Sequence, residues 1–576
     1  MLKMNSFSFP TGLLRVAAIF AVVFALGGLH AFAQAVDGQV APDADPPPLM
    51  YHGLIPGLHT HAKVREVLGE PADEAKWYSY KLYYPAEGRE GLIDAIHVTG
   101  SNPEARLANI DAASIPTGYT TDAEIRSHLG EPEYTLRMAT WTLLDYSEQG
   151  VRFALSSDGE TIGVAYFPQG NRRVYNGARN LVDLSHLRQG PQPQPKNVAS
   201  PDGLQVGVSE VVFSPTGSDW LGHAYTVHDD LKGRIAVFQR GELSIALVGA
   251  DLFGMGFRDL NVMRRAASKM GVAETVVAMS HNHAAGDTVG VYGHYPAEYV
   301  EYIQQRIIAG IRQARDHLQP VKEFRVASKE LPMDGIRVIG LFRNARNPGV
   351  LDPTISLLQP IGNDGKPIAT FVHFACHVES LEKGPREISA DFPGYMCEQL
   401  KRSGFGQPIF LNGALGGMVS GDNRARTHES AKAMGLRLAK IVEELSVDAK
   451  PSAEFHFSVD KRRVEIPLTN PRFKPLFESG LRDLNRGRVV TDMTYIRLGE
   501  AQLVTLPGEL LPEVSFEILE KMDGFPRMLI GLANDQLGYM IPPYDFRDDE
   551  YEETMSIGPA TALIVRDTAL RLLSEH

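Results

Sequence analysis

Cysteine is nearly absent from this chain: two residues, Cys376 and Cys397, among 576. No disulfide framework can hold the fold on that count, so the chain must bury its own apolar core. The pair is either one bridge or two buried thiols. Tryptophan is also scarce, with three. Positive charge is in deficit, because 57 Lys and Arg face 70 Asp and Glu, for a formal charge of −13. That balance argues against nucleic acid and anionic lipid surfaces as partners, although the letters HNH at 281–283 also occur in nucleases. Near the start, the apolar run VAAIFAVVFALGGL has 14 residues, whereas a membrane-spanning helix needs about 20. The run follows Lys3 and Arg15 and precedes AFA-QA, so residues 1–33 read as a signal peptide cleaved after Ala33. No Cys stands just after it to carry a lipid. The expectation is an exported protein, periplasmic or secreted, with no integral membrane span.

What is there is an ordinary globular composition, 43% apolar and 22% charged, in a chain too long for one core. Residues 34–50 are Pro- and Asp-rich and read as a linker. An internal repeat follows. PGLHTHAKVREVLGEP (56–71) matches TGYTTDAEIRSHLGEP (117–132) at an offset of 61 residues. Each copy reads as a capped short helix, a turn at Gly-Glu-Pro, then strands. Residues 51–185 are therefore two small α+β units, with copies at about 51–110 and 112–172. The first His-x-His, His59 and His61, has Thr120 and Asp122 in the second copy. The repeat scaffold does not need those histidines, and both read as surface residues. Pro- and Gln-rich residues 186–203 form a second linker.

Residues 204–576 read as one α/β domain, a mixed sheet covered by helices. Strand-like runs (RIAVFQ, LSIALVGADLF, ETVVAMS, ATFVHFA, PIFLNGA, QLVTLPG, RMLIGLA) alternate with helical ones. Several strands are continuously apolar, as in a sheet covered on both faces. The polar residues of interest follow those strands, where open α/β sheets hold their ligands. SHNHAAGDT puts His281 and His283 two apart after ETVVAM. On an extended segment both side chains would face one way. His377 follows ATFVHFA, Glu509 follows QLVTLPG, and Tyr539 sits in NDQLGYMIPPY. Singly, the plain readings are surface histidines for His281 and His283, a helix cap for Glu509 and a packed aromatic for Tyr539, while His373 within ATFVHFA reads as a core histidine.

In order, these motifs resemble the catalytic domain of the neutral/alkaline (non-lysosomal) ceramidases and their bacterial relatives, over about residues 204–574. The resemblance runs through VHDDLKGRIAVF, SHNH, FRNARNPGVLDPTISLLQ, HVESL…EISADFPGYM, GALGGMVSGD, LPGEL, GLANDQLGYMIPP and YEETMSIGP. It implies one Zn²⁺ held by His281, His377, Glu509 and Tyr539, with Tyr544 close by as a competitor for the last place. It implies His283 near the reacting carbonyl, Arg343 near the substrate, and Ser420 lining the site through hydrogen bonding. Such a ligand set leaves the ion positive, so that water on it ionises near neutral pH. Zinc, His283 and Arg343 would then stabilise the oxyanion of an attacked amide, and His283 would protonate the leaving amine. Departures from the family pattern, at Ala284, Ala285, Val378, Met418 and Gly421, lie on the substrate side. The expected activity is hydrolysis of an N-acyl amide. A ceramide-like lipid, another N-acyl lipid, an acylated sugar amine and a peptide-like amide all stay open as substrates. Two other classes also stay open: a metal-dependent esterase, and an inactive ligand-binding protein docked at the envelope by its repeats.

Overall fold

The computed structural model describes residues 49–576, apart from 77–79, 171–172, 176–180, 186–202, 217–219, 221–224, 292–294, 339–340, 382–386, 422–424, 453–454, 479–483 and 548–549. The signal peptide, nearly all of the first linker and residues 186–202 of the second therefore lie outside the described residues.

The two repeats follow one plan. Thr60 and Thr121 cap α1 (His61–Leu68) and α2 (Asp122–Leu129), accepting from the amides of Lys63 and Glu124. Gly69 and Gly130 end them at φ +76° and +79°, where a side chain would be strained. Strands β1 (Asp73–Lys76), β2 (Tyr80–Pro85), β3 (Ile93–Val98) and β4 (Leu107–Ala112) answer to β5 (Tyr134–Arg137), β6 (Trp141–Tyr146), β7 (Val151–Ser156) and β8 (Thr161–Tyr166). The 61-residue offset holds through the first two strands of each copy and then breaks where the turns shorten. The copies are joined edge to edge. β4 pairs antiparallel with β8, with Asp111 opposite Ala165, and the eight strands run on to β9 (Leu181–Asp183) in one sheet. His59 is partly buried, with its Nδ1 accepting from the Ile55 amide. His61 is not a surface residue. It is buried, its Nε2 accepts from Arg65, and its ring lies 5.4 Å from that of Tyr80.

The larger domain is mixed α/β. Its main sheet runs β13 (Glu274–Met279), β12 (Leu243–Ala250), β11 (Lys232–Arg240), β10 (Gln205–Val212), β14 (Gln319–Glu330), β15 (Thr354–Gly362), β16 (Ala369–Phe374), β17 (Gln407–Asn412). A second sheet holds β18 (Phe457–Pro467), β19 (Arg488–Leu498), β20 (Ala501–Thr505) and β21 (Arg527–Ile530). Three neighbouring pairs are parallel: β12/β13, β16/β17 and β20/β21. These are the continuously apolar runs, and every residue of β13, β16 and β17 is buried. α3 (Phe257–Lys269) and α4 (Ala297–Asp316) cover one side, while α5 (Asp391–Arg402) packs on α6 (His428–Val447). Cys376, and Cys397 on the inner face of α5, are free thiols in the core that α5 and α6 cover.

The carboxyl ends of the parallel pairs are stitched together. Asn412 donates from Nδ2 to the carbonyls of Ser280 and Cys376, both at 2.8 Å. The Gly531 amide donates to Asn412, and that of Met279 to Leu532. A Cβ at Gly531 would stand 2.1 Å from the Gly413 oxygen, so only glycine lets these ends close up. The repeat sheet packs directly on this domain. Tyr134, Leu136, Trp141 and Leu143 share a core with β18, β19, α7 (Pro512–Leu519) and α8 (Thr561–Ser574). Glu330 accepts from the amides of Ala139 and Thr140 and from the Thr140 hydroxyl.

Candidate metal centre

The stitched strand ends carry the site. The His-x-His segment is not extended. β13 stops at Met279, and His281 has φ +64°. The turn lets the His281 ring Nδ1 meet the Phe253 carbonyl at 3.0 Å, while the amides of Asn282 and His283 donate to Leu252 and Val378. His377 likewise sets Nδ1 against a carbonyl, that of Val419, at 3.1 Å. Both rings thereby present Nε2 to one point. Glu509 Oε2 lies 3.1 Å from Nε2 of His377 and 3.5 Å from Nε2 of His281. Tyr539, paired with Glu509 across a two-residue parallel ladder, brings its hydroxyl 3.2 Å from His377 Nε2. Tyr539 and not Tyr544 supplies the phenol here. The three imidazoles of His281, His283 and His377 have nitrogens within 4.8 Å of one another.

This donor set fits a divalent cation of the zinc type. Two imidazoles held by carbonyls at the far nitrogen, a carboxylate and a phenol converge while buried. The outer partners are also in place. Gln536 donates to Glu509 Oε1 at 3.0 Å, and the Tyr539 hydroxyl contacts Met418 Sδ at 3.1 Å. Two further polar atoms are buried here without a hydrogen bond, His283 Nε2 and Ser420 Oγ. Ser420 bridges His377 through the backbone. Asn412 and Gln536 were not singled out from sequence, since an amide after an apolar run carries no signal of its own, whereas Met418 stood out as a departure on the substrate side.

Electrostatics sort the donors. Burial holds His281 below its usual range. Burial, followed by the two neighbouring imidazoles, drives His283 lower still, so it is neutral. Burial would raise Glu509, but His281 and His377 outweigh it and hold the carboxyl at about 2. Burial would lower His377, but the Glu509 hydrogen bond and charge raise it. Burial and the Glu509 charge push Tyr539 well above its usual range.

Arg343, expected near the substrate, spends its guanidinium on other partners. Its strand (Phe342–Asn344) pairs with that of Ser420, but the guanidinium turns to the repeat sheet. Nη1 donates to Asp111 at 2.9 Å and to His97 Nε2 at 2.7 Å. Burial, then Arg343, lowers His97 to about 3, so its ring is neutral and accepts. The guanidinium whose charge acts on His283 is that of Arg426. It lies 3.9 Å from Glu379, a buried carboxylate with no hydrogen bond, and donates to that residue's own carbonyl.

The other arginine of FRNARNPG, Arg346, anchors a buried network. It donates to Asp545, Glu552 and Glu553, and Asn347 donates to Asp545 and Glu513. Carboxylates outnumber cations there. Burial and then Asp545 raise Glu513 to about 8, and burial raises Glu552 to about 7. Unfolded Glu titrates near about 4.3, so from there up to about pH 8 the folded state holds more protons. The stability these two carboxyls contribute falls as pH rises through that window. Glu513→Gln is expected to melt several degrees above the parent at about pH 9 and no higher near about pH 4. Melting curves across that range check it.

The cluster opens on a solvent-connected pocket lined largely by apolar side chains, including Phe253, Val289, Phe477, Leu537, Tyr551 and Ile557. Two solved structures share the architecture. The neutral ceramidase from Pseudomonas aeruginosa superposes with TM-score 0.54 at 17% identity, over 65% of this chain and 75% of that one. The fold is ceramidase-like. A ceramidase complexed with C2 gives TM-score 0.54 at 15% identity, over 64% and 75%. No family model and no curated protein matches the chain. Among the described residues no helix is long and apolar enough to cross a membrane.

Proposed function

We propose that this is an exported zinc-dependent amidohydrolase acting on an N-acyl amide, a distant relative of the neutral ceramidases. The observation that carries the reading is the convergence of His281, His377, Glu509 and Tyr539 on one buried point, with His283 Nε2 and Ser420 Oγ left unpaired beside it. Those four side chains would hold the ion. Bound zinc supplies Lewis-acid polarisation of the amide carbonyl and acidifies water.

The chain's own groups do the rest. Neutral His283 takes the proton of the attacking water at Nε2 and returns it to the leaving nitrogen. The Ser420 hydroxyl donates to the substrate's polar head. The pocket takes the acyl chain along its apolar side, lined by Val289, Val291, Phe473, Leu476, Phe477 and Ile557. A ceramide-like lipid satisfies both the apolar body and the amide.

The test is hydrolysis of paired amide and ester substrates of equal acyl length by the purified mature protein, beginning with N-acyl sphingoid lipids. Amide cleavage that weakens as the acyl chain is shortened across a series of such pairs supports the reading. Cleavage of esters alone makes the protein an esterase. Stoichiometric metal with no turnover of either makes it a ligand-binding protein.

A further inference from the structure

A second cluster of metal-ligating groups lies on the other side of the His-x-His loop. Residues 226–227 pair in parallel with 387–388. That pairing sets His228 and Asp229 beside Glu387, and α6 brings in His428 at its first turn. Ligand atoms of His228, Asp229 and His428 lie within 4.8 Å of one another. Glu387 Oε2 is 2.9 Å from His428 Nε2, and Asp229 Oδ2 is 2.9 Å from His228 Nδ1. The two imidazoles stack with centroids 3.6 Å apart and planes 9° apart. His428 Nδ1 is buried without a partner.

We infer that His228, Asp229, Glu387 and His428 form a second divalent-cation site of zinc type, distinct from the one at Glu509. Two imidazoles and two carboxylates from three separate chain segments are a borderline-metal set rather than a calcium set, which would be all oxygen. The stack sets two ring edges side by side. Ring torsions of histidine are broad, so a modest swing turns one nitrogen of each toward a common ion. The carboxylate is already aimed, because Asp229 is fixed by the Ala390 amide at Oδ1 and the Ser389 hydroxyl at Oδ2, both at 2.6 Å.

The position gives such an ion a job. Ser389, bonded to Asp229, accepts from Asn282 Nδ2 at 2.6 Å and donates its amide to Ala284. An ion at His228 and His428 would tie α6 to the loop that carries His281 and His283. Its role is to brace that loop.

Zinc binding decides it, measured on the full chain with the first site disabled by His281→Ala and Glu509→Ala. Calorimetric titration with Zn²⁺ after chelator treatment should show about one equivalent. That equivalent should vanish on adding His228→Asn and His428→Asn. Zn²⁺ should raise the melting temperature of the first protein and not of the second, and equal melting of the two metal-free proteins shows that both fold. Co²⁺ should give the visible absorption of a nitrogen- and oxygen-ligated ion, lost in the same variants. No binding to the first protein, or binding unchanged by the histidine substitutions, overturns the second site. Failure of the Glu509 site appears separately, as equal metal content in the parent and the His281→Ala/Glu509→Ala chain.

Discussion

His281→Ala and Glu509→Gln should each strip the ion from the Glu509 site and lower amide turnover by more than about a thousandfold. Loss of one hydrogen-bond donor to a developing oxyanion costs about 10²–10³, and loss of the ion removes more than that. The two variants make the point in different ways. Alanine deletes a ligand and its ring packing against Phe253. Glutamine keeps the size of Glu509 and its contact with Gln536, and removes only the charge that sits between the two imidazoles. Equal losses in both would mean that the carboxylate's charge is indispensable. Metal content and kcat/KM on one substrate, measured side by side, check the prediction. A Glu509→Gln protein that keeps both its metal and its turnover would remove this site from the chemistry.

The second large effect is expected where the larger domain meets the repeat sheet. Asp111→Ala leaves the Arg343 guanidinium buried against a neutral His97, with no counter-charge. Breaking a buried ion pair on one side costs about 3–5 kcal/mol. Burial would raise Asp111, but His97 and Arg343 hold it well below the usual carboxylate range, so it is ionised at any working pH. Adding Arg343→Met should recover most of the loss, because an apolar pair avoids the desolvation of both charges. Thermal melting of the two singles and the double measures the coupling. Kinetics separate the roles. If Arg343 only joins the domains, the stable double variant turns over substrate like the parent. A lasting fall in kcat/KM would return Arg343 to the substrate.

How much of this was legible follows from what a strand end looks like in sequence. The seven apolar runs are strands, and His281, His377 and Glu509 each follow one closely while Tyr539 comes later, because apolar continuity marks a buried strand and polar letters mark its mouth. Strands such as Phe457–Pro467 (FSVDKRRVEIP) were not legible, because they are mostly half-exposed and mix charge with apolar residues. Side-chain direction was lost as well. Motif order placed Arg343 in the right strand, but its partner lies 232 residues away in the repeats. Nor could the sequence show that His281, Met418, Leu532 and Asn534 take φ of 64°, 53°, 50° and 66°. None is glycine, so packing at the strand ends must hold them there, at a cost of about 1–3 kcal/mol each.

The junction of β4 with β8 makes the repeat region, in effect, a homodimer whose subunits cannot dissociate. A free pair of such units would come apart on dilution. Here the covalent link holds the local concentration of the partner at about millimolar, whatever the expression level. The same arrangement makes half a deletion worse than a whole one. Cutting out either copy alone would bare the joining half of the other's central strand, residues 110–112 or 164–166, an open edge that invites pairing with another chain. The duplicated unit is thus gained or lost as a pair, and the surviving sequence likeness between copies records a bond that each still makes with its twin.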